Sequence, residues 1–299
     1  MRLPALVLLI LFAAPAPAAA QRPSADSLPR GRVVERVAAD SAHSYALYLP
    51  AAWTAARRWP LLVLLDPGGR AVLALERFRE AAERRGWVVM SSYEVRNGGA
   101  EAIAANDRAV DAMLADAQRR LSIDPRRLYF GGFSGQARYG WRVAVSLDGR
   151  AAGLIGAGAG LPPPGALWMA ALRQAKPFPF FATTGTTDPN RPELEALDSA
   201  LDATAFPHRL ARFEGGHEWP PADLAARAVD WLELQAMRTG TLAPDSAYVA
   251  SLHAAALARA CAMSGRDAAR ELRALAADFP EESPARNALR PRRSCPARR

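Results

Sequence analysis

The chain has 299 residues, 50% of them hydrophobic and 23% charged, a composition that excludes global disorder and suits a globular protein with a sizeable core. The formal charge of +8 raises nucleic acid as a partner. However, Lys176 is the only lysine, the arginines are scattered, and no aromatics interleave with the one basic cluster, Arg290 to Arg299. Without the footprint of a recognised module, nucleic-acid binding is set aside.

At the amino terminus, Arg2 precedes the apolar run LPALVLLILF, and small residues continue to Ala18-Ala19-Ala20 before Gln21. This pattern predicts a signal peptide over 1–20, a polar linker over 21–30, and export to the periplasm or beyond. The apolar run is too short for a stable membrane anchor, so no span is expected after cleavage. Export places Cys261 and Cys295 in an oxidising compartment, where a disulfide between them is the single intramolecular pairing; two separate thiols are the alternative.

From residue 31 the chain alternates. RVVERVA and HSYALYLP read as two strands close in sequence, the antiparallel start of a sheet. Leu61 to Leu65 is a continuous apolar run stopped by Pro67 and two glycines, as expected of a central strand covered on both faces. A helix follows over Val72 to Arg85 with Gly86 as its cap, then the strand WVVMSSYEV and a long amphipathic helix over Glu101 to Leu121. Strands are predicted over Arg127 to Phe133, Gly153 to Ala157, Phe178 to Thr183 and Arg209 to Phe213. Helices are predicted over Gln136 to Leu147, Pro192 to Ala205 and Ala222 to Met237, with a proline-rich loop around LPPPGALWM. This is an α/β pattern: a mainly parallel, doubly wound sheet with helices on both faces over 31–240. Beyond Gly240 the strands stop. Residues 241–299 read as two helices around Ser264-Gly265 and a basic tail, either a helical extension or a lone tetratricopeptide-like unit.

In such a sheet the site lies at the carboxyl ends of the strands, where Asp66, Ser134, Asp188 and His217 all fall. Ser134 sits in YFGGFSGQ, between a strand and a helix, with Gly132 as the small residue that a sharp nucleophile turn requires. Gln136 stands where a second small residue is expected; the favoured reading is that its side chain runs along the helix face, away from the sheet, the alternatives being a side chain that reaches into the pocket or a deformed elbow. A serine nucleophile needs a base and an acid that orients the base. His217, on the Gly-Gly loop of FEGGHEWP, is the candidate base. Asp188, in TTGTTDPN, is the candidate acid; Asp198, Asp202 and Asp223 read as helix-surface or helix-start residues. The other histidines, His43, His208 and His253, read as structural or surface groups. No metal-ligand spacing and no phosphate-binding glycine loop is present, so neither metal nor cofactor is expected.

The segments SYALYLP, RWPLLVLLDPGG, SIDPRRLYFGGFSG, TTGTTDPN and FEGGHEWP resemble the α/β-hydrolase superfamily over about Gly31 to Gly240. They are similar in particular to secreted esterases of the polyhydroxybutyrate-depolymerase and feruloyl-esterase type. The resemblance implies a Ser134–Asp188–His217 triad and oxyanion donors from the amide of Gly135 and from the loop after the first central strand. Pro67 has no N–H, so Gly68, Gly69 or Arg70 would supply that second donor. Asp66 departs from the histidine usual in that loop, and its charge needs a partner, for which Arg70 is the candidate. The expected activity is hydrolysis of small or oligomeric carboxylic esters through an acyl-enzyme. A peptidase of the same fold and a non-catalytic hydrolase-like binding protein are the alternatives.

Overall fold

The structure, a computed structural model, describes residues 28–163, 165–280 and 295. The signal peptide expected over 1–20, most of the linker and nearly all of the basic tail lie outside the described residues. The chain divides into two compact units, with the boundary between Ala236 and Met237.

The first unit is built on one eight-stranded sheet. Its strands are β1 (Val33–Ala38), β2 (Ser44–Tyr48), β3 (Trp59–Leu65), β4 (Val88–Ser92), β5 (Ile123–Phe133), β6 (Ala151–Ala157), β7 (Phe180–Gly185) and β8 (His208–Phe213). They lie in the order β1-β2-β4-β3-β5-β6-β7-β8. β2 pairs antiparallel with β1 and with β4, and every pair from β4 to β8 is parallel. Between the strands run α1 (Ala71–Arg85), α2 (Ala100–Arg120), α3 (Gly135–Ser146), α4 (Gly165–Leu172) and α5 (Arg191–Leu201), and α6 (Ala222–Arg238) follows β8.

The pattern along β3 explains the layers. All seven of its residues are buried, and they divide between two cores. Leu61, Val63 and Leu65 pack on one face with residues of α2, α3 and α5, among them Met113, Trp141 and Leu197. Leu62 and Leu64 pack on the other with α1 and α6, through Phe78, Leu224 and Leu232. Side chains alternate across a strand, so an all-apolar run needs cover on both sides, and the helices supply it. The buried positions of α1, Ala71, Ala74, Leu75, Phe78, Ala81 and Ala82, recur at helical spacing, and Gly86 closes the helix in the left-handed conformation.

Two elements depart from the sequence reading: β5 begins at Ile123, four residues before the expected Arg127, and a helix appears in the proline-rich loop. The proline-rich loop carries α4, whose Ala, Leu and Met residues favour helix although only Leu172 is buried. Leu167 is 59% exposed, so no periodic apolar stripe marks the helix in the sequence.

In the second unit α7 (Ser246–Ala262) and α8 (Gly265–Asp278) form a helical hairpin. The Asp245 side chain caps α7 by accepting the Tyr248 N–H at 2.9 Å. Cys261 and Cys295 are joined by a disulfide. Among the described residues no helix is long and apolar enough to cross a membrane.

Candidate active site

Five loops at the carboxyl ends of parallel strands build the site; they follow β3, β4, β5, β7 and β8. The loop after β5 is the tightest. Ser134 has φ +56° and ψ −128°, a conformation that costs a non-glycine residue about 1–3 kcal/mol. Its N–H donates to the Ala157 carbonyl at 2.8 Å, and its own carbonyl accepts from Ala137 at 2.9 Å, so both sides of the turn are held. The turn presses Gly132 against the start of α3. A Cβ there would run into the Gln136 carbonyl and lie 2.7 Å from the Ala137 nitrogen, so glycine alone fits.

The expected acid and base meet this serine. His217 Nε2 lies 2.9 Å from Ser134 Oγ, and His217 Nδ1 lies 3.0 and 3.1 Å from the two carboxylate oxygens of Asp188. An ionised carboxylate only accepts, so Nδ1 carries the proton and Nε2 is left to accept from the serine hydroxyl. The Asp188 side chain is fully buried, whereas that of His217 is 31% exposed. The Asn190 amide donates to Asp188 Oδ1 at 2.8 Å, and the Asn190 side chain donates to the Gly158 carbonyl at 2.9 Å, which ties the acid loop to the end of β6. Phe133 packs on the imidazole, with ring centroids 4.7 Å apart.

Asp66 is buried, and its charge is fully engaged. Its Oδ1 accepts from the amides of Gly68 (2.8 Å) and Arg70 (3.2 Å) and from Arg70 Nε (2.9 Å). Its Oδ2 accepts from Arg70 Nη2 (3.0 Å) and Trp219 Nε1 (2.8 Å). Burial by itself raises the pKa of this carboxyl, but the Arg70 and Trp219 side chains and the two amides outweigh it and hold the group below the usual range. Asp66 thereby pins the loop that carries His217, because Trp219 follows His217 by two residues.

The loop that holds Asp66 is also the expected source of a second oxyanion donor. The Gly68 amide donates to Asp66 Oδ1, the Gly69 amide donates to the Asp66 carbonyl at 2.9 Å, and the Arg70 amide returns to Asp66 Oδ1. All three amides are engaged inside their own loop. Gly135, by contrast, begins α3, and its N–H has no partner among the described residues.

Gln136 also differs from expectation. Its side chain does not run out along the helix face: it is 2% exposed and donates from Nε2 to the Arg96 carbonyl at 2.9 Å and to Asn97 Oδ1 at 3.3 Å. Sequence reasoning singled out neither Asn97 nor Trp219. Trp219 had a usable signal in its place two residues after the histidine of FEGGHEWP. Asn97, in a plain loop, had none.

No protein-family model matches the sequence, and no curated protein sequence matches it. Solved structures do resemble the fold. Esterase 2 of Thermogutta terrifontis, phosphorylated by paraoxon, aligns with a TM-score of 0.52 at 20% identity, covering 71% of this chain and 96% of that one. The fluorophosphonate-binding serine hydrolase F of Staphylococcus aureus aligns at 0.52 and 13% identity, over 64% and 92%. The S-formylglutathione hydrolase of the same organism aligns at 0.53 and 12%, over 69% and 98%. With the strand order and the crossover helices already in place, the chain has the α/β-hydrolase fold.

Proposed function

We propose that this chain is an exported serine hydrolase that cleaves carboxylic esters. The observation that carries the reading is the unbroken hydrogen-bonded series from Asp188 through His217 to Ser134 Oγ, on a strained turn at the mouth of a sheet. In the reaction His217 Nε2 takes the proton of Ser134 as Oγ attacks the ester carbonyl. The tetrahedral intermediate collapses to an acyl-serine, and the imidazolium returns its proton to the leaving alkoxide. Water, deprotonated by the same nitrogen, then releases the acid. Asp188 holds the imidazole in the tautomer this cycle needs and stabilises its positive form.

The structural neighbours, an esterase, a fluorophosphonate-binding serine hydrolase and an S-formylglutathione hydrolase, are in keeping with this chemistry. The sequence resemblance favours substrates of the polyhydroxybutyrate-depolymerase or feruloyl-esterase kind. A cavity of about 380 Å³ beside α3 is lined by Leu161, Pro163, Met169 and Leu197, with Arg138 and Glu193 at its polar side. Arg138 lies one helical turn beyond Ser134, so we assign this cavity to an apolar acyl or alcohol group.

The test is labelling with a fluorophosphonate probe together with hydrolysis of p-nitrophenyl esters of graded chain length. Wild type is expected to react with both, the adduct is expected on Ser134, and Ser134→Ala is expected to lose both while staying folded. A folded wild type that reacts with neither overturns the proposal.

A further inference from the structure

We propose that the side-chain amide of Asn97 is the second oxyanion donor of this site, and that Gln136 positions it. The inference rests on the serine-hydrolase reading above. The negative oxygen of a tetrahedral intermediate needs fixed donors about 2.7–3.1 Å away, and the Gly135 amide is one such donor. The loop after β3 leaves none open, because the amides of Gly68, Gly69 and Arg70 all return to Asp66 and Pro67 has no N–H.

The neighbouring loop, after β4, fills this deficit. The backbone N–H of Asn97 donates to the Pro67 carbonyl at 3.2 Å, which ties that loop alongside. The Asn97 head group then lies against the residue that follows the nucleophile. A Cβ built on Gly135 would collide with the whole carboxamide: Oδ1 would come nearest, with Cγ and Nδ2 at 2.6 and 2.7 Å. Gly135 thus has no side chain because the Asn97 carboxamide occupies that space.

The orientation of the carboxamide is also determined. Gln136 Nε2 donates to Asn97 Oδ1, and the same nitrogen donates to the Arg96 carbonyl. Turning the Gln136 amide over would set its oxygen against that carbonyl, so the donor end faces Asn97. With Oδ1 engaged, the two N–H groups of Asn97 Nδ2 remain. They have no partner among the described residues, and Nδ2 lies against Gly135, the residue whose own N–H is open. The departure from a small residue at position 136 therefore has a use: it orients a side-chain donor that stands in for the missing backbone one.

The experiment compares Asn97→Ala, Asn97→Asp and Gln136→Met by steady-state hydrolysis of a p-nitrophenyl ester, by the rate of fluorophosphonate labelling, and by thermal midpoint. Asn97→Asp is the informative variant, since it keeps the shape and the oxygen that faces Gln136 but has no donor to offer. Both Asn97 variants are expected to lower kcat by about 100- to 1000-fold, with KM changed only a few-fold, and to slow labelling in parallel. Gln136→Met is expected to lower kcat less, and to add no further loss in the Asn97→Ala background, because it acts only through Asn97. Wild-type kcat in Asn97→Asp, in a protein whose wild type hydrolyses the ester, overturns the oxyanion assignment alone. A wild type inert to ester and probe overturns this proposal and the serine-hydrolase reading together.

Discussion

Replacing Asp66 with asparagine tests whether the buried carboxylate is the anchor the structure makes it. Five donors converge on its two oxygens, three from Arg70, one from Gly68 and one from Trp219. Asparagine keeps the shape but removes the charge and turns an NH2 group toward donors that then have nothing to meet. Breaking a buried ion pair by removing one partner costs about 3–5 kcal/mol, and the lower end applies because the Arg70 side chain is half exposed and regains water. A loss of about 3 kcal/mol at neutral pH corresponds to a midpoint roughly 6–12 °C lower for a domain of this size. The pH dependence has a fixed sign. The folded pKa of Asp66 lies below its unfolded value, so the charge contributes stability above pH about 4, and that contribution is lost as pH falls through the folded pKa. Thermal unfolding of wild type and Asp66→Asn should therefore show a wide gap at pH about 7 that narrows steadily below pH about 4. A gap of the same width at pH about 2 would mean that lost packing, not lost charge, sets the effect. No gap at neutral pH would refute the anchor altogether.

Asp188→Asn should lower kcat by about 10⁴-fold with the fold retained, since a neutral carboxamide no longer selects the Nδ1–H tautomer of His217; steady-state hydrolysis with circular dichroism checks both parts. The Cys261–Cys295 bridge closes a loop of sequence separation 34, worth about 4 kcal/mol in the loop-entropy model. Never-reduced protein, unfolded and titrated for thiols, should show none, and Cys261→Ser with Cys295→Ser should lower the unfolding free energy of the second unit by about that amount. Export predicts a mature protein beginning near Gln21. Mass spectrometry of the extracytoplasmic fraction should find that terminus, and an intact Met1 in the cytoplasmic pool would count against it.

What was legible in the sequence was local. The run Leu61 to Leu65 reads as a central strand because it is short, wholly apolar and stopped by Pro67 and two glycines, and all seven residues of β3 are in fact buried. Ser134, Asp188 and His217 stand out because each follows a strand and is bracketed by turn residues, so topology alone sends them to one edge of the sheet. The supports of the site have no such local mark. Trp219 meets Asp66 across 153 positions, and Gln136 meets Arg96 across 40, so neither contact leaves a pattern within a window of the chain. Asp66 illustrates the consequence. Read alone it is a negative charge beside the proposed oxyanion site, a liability. In the folded protein its charge is neutralised by Arg70 and turned into the fixing point of the histidine loop.

Gln136 shows why a motif can be read correctly and still misjudged at one position. The turn around Ser134 is usually taken to demand small residues on both sides, as if the crowding were symmetric. Here it is not. The close approach is between the Cα of Gly132 and the backbone of Gln136, so a side chain at 132 is forbidden, whereas the side chain at 136 leaves from the far side of the contact. It is then free to reach the loop after β4, where its amide finds the Arg96 carbonyl and Asn97. The oxygen of that amide, Gln136 Oε1, stays buried with no hydrogen-bond partner among the described residues. An unsatisfied buried acceptor costs about 1–3 kcal/mol, so a residue chosen for stability alone would be small or apolar here. Glutamine at this place is accounted for by what its other end holds, a carboxamide against the residue that follows Ser134.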